Sequence, residues 1–310
     1  MIAFVIAFAA PVFTPAQDKD DVIRVETDLA AFEVTVTDKR GNPVRNLSAD
    51  DFRVYEDGVE RKVDFFQPLK KQDDGRPLSI VFALDVSGSM TAPELERLRT
   101  AMQKFIDRLA DYNSYFAVMS FAMDVRTLAS FTNRPDRLEK SFSKLMRDQD
   151  GLSTHAYDAV DDAVRLLARK APRALKDRLP KRAVVVITDG FPVGDTVTPQ
   201  TVIERANAAE TTVYSVILPS FSRLQRGPGP LPTPLEASGL IQRTGGKSFY
   251  ATDKDFEPLF KDLAEEVTSS YALAFYPKDD NASTSKPHQI RIESKQGYIV
   301  RQNRTSYTLK

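Results

Sequence analysis

The stretch Leu78-Ser-Ile-Val-Phe-Ala-Leu-Asp-Val-Ser-Gly-Ser-Met90 runs from a continuous apolar segment into a cluster of oxygen-bearing side chains. An apolar run of this length is typical of a strand that is buried on both faces of a parallel sheet. Thr91 and Glu94 follow directly and have the spacing of a helix capping box. The order strand, polar turn, helix therefore predicts an α/β unit, with its ligand-binding groups where the strand ends.

Similar apolar runs alternate with helical patterns along the rest of the central region. The further predicted strands are 115–121, 182–188 and 212–218, and residues 125–131 are predicted to return as a hairpin at the sheet edge. The predicted helices cover 95–109, 156–169, 199–210 and 256–269. This alternation predicts an α/β fold with a doubly wound, mostly parallel sheet of the Rossmann-like kind.

Two flanking regions have the alternation of half-buried strands instead, at residues 22–67 and 271–308. The first strand of a doubly wound sheet begins at the edge where the last antiparallel helix finishes, so both flanks should emerge side by side. Neither is large enough to bury a good core alone. We expect them to combine into one small β-sandwich beneath an α/β domain of residues 76–270.

The first sixteen residues are apolar and end in small residues, and the chain turns polar at Gln17. This pattern predicts a secretory signal segment at 1–16, too short to span a bilayer. No Lys or Arg precedes the apolar run, so a start further upstream, a retained anchor or a buried N-terminal strand are the alternatives. With no later apolar run of 18 residues, we expect a secreted or periplasmic protein without a membrane span in the mature chain.

Composition excludes several classes of function. Lys and Arg total 43 and Asp and Glu total 43, so no basic excess favours nucleic acid or an anionic membrane. The chain has no cysteine, which excludes disulfides, thiolate zinc sites and cysteine nucleophiles. Its two histidines, His155 and His288, lie far apart in segments of different character, which disfavours a zinc site. Hard cations with oxygen ligands remain.

Oxygen donors recur where three predicted segments reach the same sheet edge. Asp85, Ser87 and Ser89 are spaced at i, i+2 and i+4 in the turn after the first strand. Thr154 precedes a predicted helix, and Asp189 follows a buried strand. Carboxylate and hydroxyl oxygens are ligands that Mg²⁺ prefers, and Mn²⁺ or Ca²⁺ are possible.

In this order, Asp-x-Ser-x-Ser, a Thr before a Tyr-Asp-Ala helix start, and Thr-Asp-Gly resemble the metal-ion-dependent adhesion site of von Willebrand factor A domains. The resemblance covers residues 76–270. It implies that Ser87, Ser89 and Thr154 bind Mg²⁺ through their hydroxyls, whereas Asp85 and Asp189 hold it largely through water. Such a site captures an Asp or Glu side chain of a protein partner and is not an enzyme. Parts of residues 38–58 also resemble a bacterial, acidobacterial group of related proteins.

Other interpretations stay open at this stage. Ser87 and Ser89 have the character of helix N-caps, and Asp158 that of an acidic residue favoured by the helix dipole. Ser87 or Ser89 with His155 and Asp189 would imitate a Ser-His-Asp triad, although no G-x-S-x-G turn is present. The remaining alternatives are an accessory subunit that recruits a client to a larger complex, and a purely structural domain. The Pro- and Gly-rich residues 220–234 are predicted to be an exposed loop at the metal edge.

Overall fold

The computed structural model describes residues 29–71, 75–87, 91–145, 153–172, 178–218, 231–251, 256–277 and 286–308. The predicted signal segment, Ser89 and most of the predicted loop at 220–234 lie outside these residues. No helix within the described ranges has the length and apolar character needed to cross a bilayer.

A six-stranded sheet forms the centre of the molecule. Its strands are β5 (Leu78–Asp85), β6 (Ser114–Phe121), β7 (Val125–Thr132), β8 (Lys181–Thr188), β9 (Thr211–Ile217) and β10 (Ser248–Tyr250). Their order is β10-β9-β8-β5-β6-β7, with only the β6–β7 pair antiparallel. The chain passes from β5 to β6 on one side and later returns to β8 on the other. The gap between β5 and β8 is therefore the topological switch point, where open α/β sheets bind ligands at the carboxyl ends of their strands.

Helices cover both faces of this sheet. They are α1 (Ala92–Arg108), α2 (Pro135–Phe142), α3 (Ala156–Lys170), α4 (Pro199–Ala208), α5 (Pro234–Ala237), α6 (Leu240–Arg243) and α7 (Glu257–Thr268). Alternate side chains of β5 divide between the two layers: Ile80, Phe82 and Leu84 join the core with α1, α2 and α7. Val81 and Ala83 join the core with α3, α4 and α6. Each large aliphatic side chain buried in this way stabilises the fold by about 1.5–3 kcal/mol, which explains why the strand is apolar on both faces.

Two four-stranded antiparallel sheets are built from the flanking segments. Their strands are β1 (Ala30–Thr37), β2 (Phe52–Glu56), β3 (Val59–Arg61), β4 (Phe65–Pro68), β11 (Ser270–Phe275), β12 (His288–Ser294), β13 (Ile299–Gln302) and β14 (Ser306–Tyr307). The orders are β13-β1-β11-β4 and β14-β12-β2-β3, so each sheet takes strands from both ends of the chain. Side chains from the two sheets share one apolar core. The predicted fold class, with its additional sheets from the flanks, is confirmed.

A buried ionic cluster joins one of the flank-derived sheets, β13-β1-β11-β4, to the central sheet. Glu33 of β1 accepts a hydrogen bond from Arg76 at 2.6 Å and forms an ion pair with Lys181 at 3.3 Å. Lys181 begins β8 and also donates to Ser270 Oγ at 2.7 Å. Burial alone would raise the pKa of Glu33, but the charges of Arg76 and Lys181 hold that pKa below its usual value. The cluster therefore holds the sandwich against the base of the α/β unit.

Local sequence did not predict every element. The short helix α2 was missed, although Leu138 and Phe142 lie four residues apart and are both buried. The helix predicted at 199–210 ends at Ala208, because Glu210 has a left-handed backbone with φ of 53° and its carboxylate pairs with Arg304 at 3.1 Å. Arg304 belongs to the distant C-terminal flank. A contact across the two parts of the molecule accompanies that helix end.

Candidate metal site at the carboxyl edge of the central sheet

Asp85 is the last residue of β5 and its side chain is fully buried. One carboxylate oxygen, Oδ1, accepts the Ser87 backbone N–H at 3.0 Å. The other, Oδ2, accepts the Thr188 hydroxyl at 2.7 Å. Thr188 ends the neighbouring strand β8, so the carboxylate is oriented by its own turn and by the strand across the switch point.

Ser87 and Thr154 lie 67 positions apart in sequence and meet in the fold. The Thr154 hydroxyl donates to Ser87 Oγ at 3.1 Å. Thr154 is held in place by two backbone hydrogen bonds with Val193, at 3.0 and 2.9 Å, which form an isolated antiparallel bridge. The two predicted hydroxyl ligands in the described ranges are therefore in direct contact.

Asp189 follows the end of β8, next to β5. Its Oδ1 accepts the Phe191 backbone N–H at 3.1 Å. The chain turns sharply at Gly190, where φ is +88° and a Cβ would lie 2.6 Å from Thr233 Oγ1, so only glycine fits this turn. Asp189 is thereby directed by a turn that no other residue type could form without displacing Thr233.

The surroundings of the Asp85 and Asp189 carboxyl groups disfavour their charged form. Burial raises the pKa of Asp85, and the negative charge of Asp189 raises it further. Burial likewise raises the pKa of Asp189. Desolvated carboxylates without a compensating cation favour the protonated form. A bound cation would reverse this and stabilise both charges.

The donor set fits a hard divalent cation. Asp85, Ser87, Thr154 and Asp189 offer two hydroxyls and two carboxylates, all oxygen donors of the kind Mg²⁺ binds. In the described part of the chain, no group of three or more His, Cys, Asp or Glu residues is placed to hold a metal. A cation at this edge would therefore depend on the hydroxyls. The fifth predicted ligand, Ser89, lies outside the described residues.

Asp158 organises the loop beside the site, a role that the sequence analysis missed. Its carboxylate accepts the backbone N–H of Thr196 at 3.0 Å and that of Val197 at 2.9 Å. In return Asp195 Oδ1 accepts the Asp158 N–H at 2.9 Å. An acidic residue in a first helical turn was explained by the helix dipole alone. The only available signal was a second acidic residue, Asp195, in the loop after β8.

The side chain of His155 packs against the same loop. Its ring Nδ1 lies 3.3 Å from Asp158 Oδ2, and its backbone N–H donates to Ala122 O at 3.0 Å. Gly194 has φ of +90°, and a Cβ there would lie 2.7 Å from His155 Nε2. The imidazole therefore packs between the helix start and the loop, and the hydroxyl of Ser87 is contacted by Thr154 instead.

This geometry agrees with the comparison with known families. Residues 79–228 match the family model described as von Willebrand factor type A domain. The matched residues span most of the central sheet, so this part of the chain is similar to a von Willebrand factor type A domain and has its α/β fold.

Relatives of the chain are distant. It is 29% identical over 125 residues to inter-alpha-trypsin inhibitor heavy chain H4 of Bos taurus, a match covering 39% of this chain and 13% of that protein. The chain thus spans a small fraction of that relative's length.

Several solved structures are similar over about two thirds of the chain. An aerotolerance-related membrane protein from Bacteroides fragilis is 18% identical, with a TM-score of 0.46, covering 61% of this chain and 98% of that one. Proximal thread matrix protein 1 of the mussel byssus, with a zinc-occupied MIDAS motif, is 15% identical, with a TM-score of 0.49, covering 68% and 49%. The type V pili tip protein Mfa5 from Porphyromonas gingivalis is 12% identical, with a TM-score of 0.46, covering 61% and 94%.

Proposed function

We propose that this protein is a non-enzymatic, Mg²⁺-dependent protein-binding module, in which a cation at the sheet edge captures an Asp or Glu side chain of a partner. The observation that carries the proposal is the contact of the Ser87 and Thr154 hydroxyls at 3.1 Å, beside the buried Asp85. Von Willebrand factor type A domains are generally interaction modules, which agrees with this function. We assign the cation to Ser87, Ser89 and Thr154 directly, and to Asp85 and Asp189 largely through water.

The attraction of such a cation for an anion of the partner depends on which of its ligands carry charge. Hydroxyl ligands are neutral, so a cation that they bind directly keeps most of its positive charge. Carboxylates one shell further out orient the ligands without neutralising the ion fully. An anionic oxygen from outside is then attracted to the remaining coordination position. Ser87 and Thr154 would bind the ion, while Asp85 would hold the turn of Ser87 and the Thr188 hydroxyl in register.

Two alternatives differ in what they require of the site. A serine hydrolase would need His155 Nε2 to accept a proton from a serine hydroxyl. That nitrogen packs against Gly194 instead, and the Ser87 hydroxyl is contacted by Thr154. An accessory subunit that recruits a client to a larger complex would use the same metal and differs only in the partner. We therefore favour metal-dependent binding over hydrolysis.

Thermal melting in a Mg²⁺ titration tests the proposal. A ligand that binds only the folded state at a hundred times its Kd stabilises that state by about 2.7 kcal/mol, so wild-type protein should melt at a higher temperature with Mg²⁺. Asp85→Ala and Ser87→Ala should abolish this increase. Mn²⁺, Ca²⁺ and Zn²⁺ tested in parallel would establish the metal preference.

Asp124→Ala is the matched control, because Asp124 is an exposed acidic residue in the β6–β7 turn at the same edge, paired with Arg126 at 3.3 Å. It should respond to Mg²⁺ as the wild type does. An Asp85→Ala protein that still gains the full Mg²⁺-dependent increase would refute the assignment.

A further inference from the structure

Large apolar side chains are exposed in two places in the described part of the molecule. Four lie on the flank-derived sheets or their turns: Val59, Tyr276, Tyr298 and Ile299. Four lie where strands of the central sheet end: Met123, Val193, Leu231 and Tyr250. Exposed apolar residues that gather at one edge indicate an interaction surface more strongly than scattered ones do.

Val193 is tied directly to a candidate metal ligand. Its backbone exchanges two hydrogen bonds with Thr154, at 3.0 and 2.9 Å, while its side chain is 54% exposed. The main chain of Val193 is thus fixed next to Thr154, while its side chain remains exposed and available for apolar contacts.

Met123 lies in the β6–β7 turn, whose neighbouring backbone is also bonded next to predicted ligands. Ala122 accepts the His155 N–H at 3.0 Å, and Phe121 accepts the Val86 N–H at 2.9 Å. The next residue, Met123, is 53% exposed. The β6–β7 turn is thus bonded next to both Ser87 and Thr154, and it carries a flexible apolar side chain.

Leu231 completes the arrangement near Asp189. Leu235 donates its N–H to Gly190 O at 3.2 Å, and Thr233 packs against Gly190, the residue after Asp189. Leu231 precedes Thr233 by two positions and is 75% exposed. Each of these three exposed apolar residues therefore is, or lies within two positions of, a residue that contacts a predicted ligand or its neighbour in sequence.

The loop that carries Val193 is held in place before any partner binds. Asp158 accepts the N–H groups of Thr196 and Val197, and Asp195 accepts the N–H of Asp158. A surface that is already ordered loses less conformational entropy on binding. An apolar side chain on such a loop contributes more of its contact energy to affinity.

From this arrangement we infer that the partner presents a protein segment in which one acidic side chain is flanked by apolar side chains, which pack on the rim formed by Met123, Val193 and Leu231. The inference rests on the proposed function, since the acidic residue would bind the cation inside this apolar rim. An anionic lipid surface would instead require an excess of basic residues, and the chain has 43 Lys and Arg against 43 Asp and Glu.

Three acetylated, amidated pentapeptides serve as probes: Ser-Leu-Glu-Leu-Ser, Ser-Ser-Glu-Ser-Ser and Ser-Leu-Gln-Leu-Ser. Their dissociation constants are measured by NMR titration with Mg²⁺ and with EDTA. Burying two leucine side chains even partly should strengthen binding about tenfold, so the Leu-flanked Glu peptide should bind more tightly than the Ser-flanked one. The Gln peptide should bind no more tightly with Mg²⁺ than with EDTA.

The variant Met123→Ser with Leu231→Ser should remove the preference for the Leu-flanked peptide and leave binding of the Ser-flanked peptide unchanged. Val59→Ser is the matched control, because Val59 is 59% exposed on the sandwich, far from the rim in sequence and fold. It should keep the wild-type preference.

Equal binding of the two Glu peptides to the wild type, or no binding of either at millimolar concentration, overturns the apolar rim. If Mg²⁺ still raises the melting temperature in that case, the metal site stands and only the rim fails. If Mg²⁺ does not raise the melting temperature of wild-type protein, the proposed function itself is overturned. The wild type could instead bind phosphatidylserine vesicles or self-associate, with the double serine variant doing neither and no peptide being preferred. That result would assign the rim to a different occupant and would also overturn the inference.

Discussion

At the scale of the residue, Asp85 combines complete burial, two accepted hydrogen bonds and a second acidic group nearby. Burial raises its pKa, and Asp189 adds to the effect. A carboxylate in such a position destabilises the metal-free fold when it ionises, and it becomes favourable only once a cation is bound. Ionised Asp85 therefore lowers the stability of the metal-free fold, and in the proposed function a bound cation would offset this cost.

The sign of this effect can be measured with Asp85→Asn. The folded-state pKa of Asp85 lies above its ordinary value of 3.8, so its stabilising protonated form is fully present below pH 3.8 and is lost as the pH rises through the folded pKa. Asn cannot ionise. In EDTA, the melting temperature of Asp85→Asn minus that of the wild type should therefore increase as the pH rises through this window.

Hydrogen bonds altered by the Asn side chain would shift this difference by a constant amount, so the change with pH is the diagnostic quantity. Asp189→Asn should behave with the same sign, because burial also raises the pKa of Asp189. A difference that stays level across the window would contradict the raised pKa. With saturating Mg²⁺ at neutral pH, the wild type should have the higher melting temperature, since only the wild type would bind the cation fully.

At the scale of the element, the site depends on how helix α3 and the loop after β8 are joined. Thr154, at the start of α3, pairs with Val193 in the loop, and Asp158, one turn into α3, accepts the amides of Thr196 and Val197. Neither segment alone would place Thr154 against Ser87. The loop thus supports Thr154, a predicted ligand that lies outside the loop itself.

Asp158→Ala should loosen this support. Unpairing the two amides should cost about 1–3 kcal/mol of local stability. We expect faster amide hydrogen exchange at Thr196 and Val197, together with a several-fold weaker Mg²⁺ midpoint in thermal melting. The global fold should persist, because the core of α3 is apolar and is not touched.

Asp162→Ala is the appropriate comparison, because Asp162 is an exposed acidic residue on the same helix. It should leave both the loop amides and the Mg²⁺ midpoint at wild-type values. Unchanged exchange at Thr196 and Val197 in Asp158→Ala would show that the loop is held by other contacts.

At the scale of the whole molecule, a buried ionic cluster connects the flank-derived sheet that contains β1 and β11 with the central sheet. Glu33, Arg76 and Lys181 are all buried, and Lys181 also contacts Ser270, the first residue of β11. Burial lowers the pKa of Lys181, whereas the charge of Glu33 opposes this change. Both parts of the molecule therefore share one electrostatic contact and should unfold together.

Lys181→Met should destabilise the whole protein by about 3 kcal/mol, because it leaves Glu33 buried with one cation fewer. The measurement is the urea midpoint of unfolding, followed by near-ultraviolet circular dichroism. Lys295→Met, at an exposed position near the end of β12, should change the midpoint little. A Lys181→Met protein as stable as the wild type would mean that the cluster contributes no net stability.

Much of the architecture was determined by local sequence patterns. Continuous apolar runs at residues 78–84 and 182–188 predicted buried parallel strands, because only a strand covered on both faces needs no polar side. Alternation at residues 32–37 predicted a half-buried strand. The strand is present as β1, but both of its faces are buried, because Glu33 on the polar face contacts Arg76 and Lys181 at the base of the α/β unit. The Asp57-Gly58 pair predicted a hairpin, and both residues have positive φ there, as such turns require. The assignment of ligands and the division of the chain into domains at the proposed boundaries stay predictions.

Tertiary structure alone decided which polar residues support one another. Three sets of contacts join positions between 38 and 148 residues apart: the loop contacts of Asp158, the contact of Arg304 with Glu210 and the cluster around Glu33. Periodicity and spacing indicate which face of an element is buried, because a helix or strand places side chains at a fixed spacing on the same face. They carry no information about which charged groups from distant elements will meet, since that depends on the packing of all the elements at once.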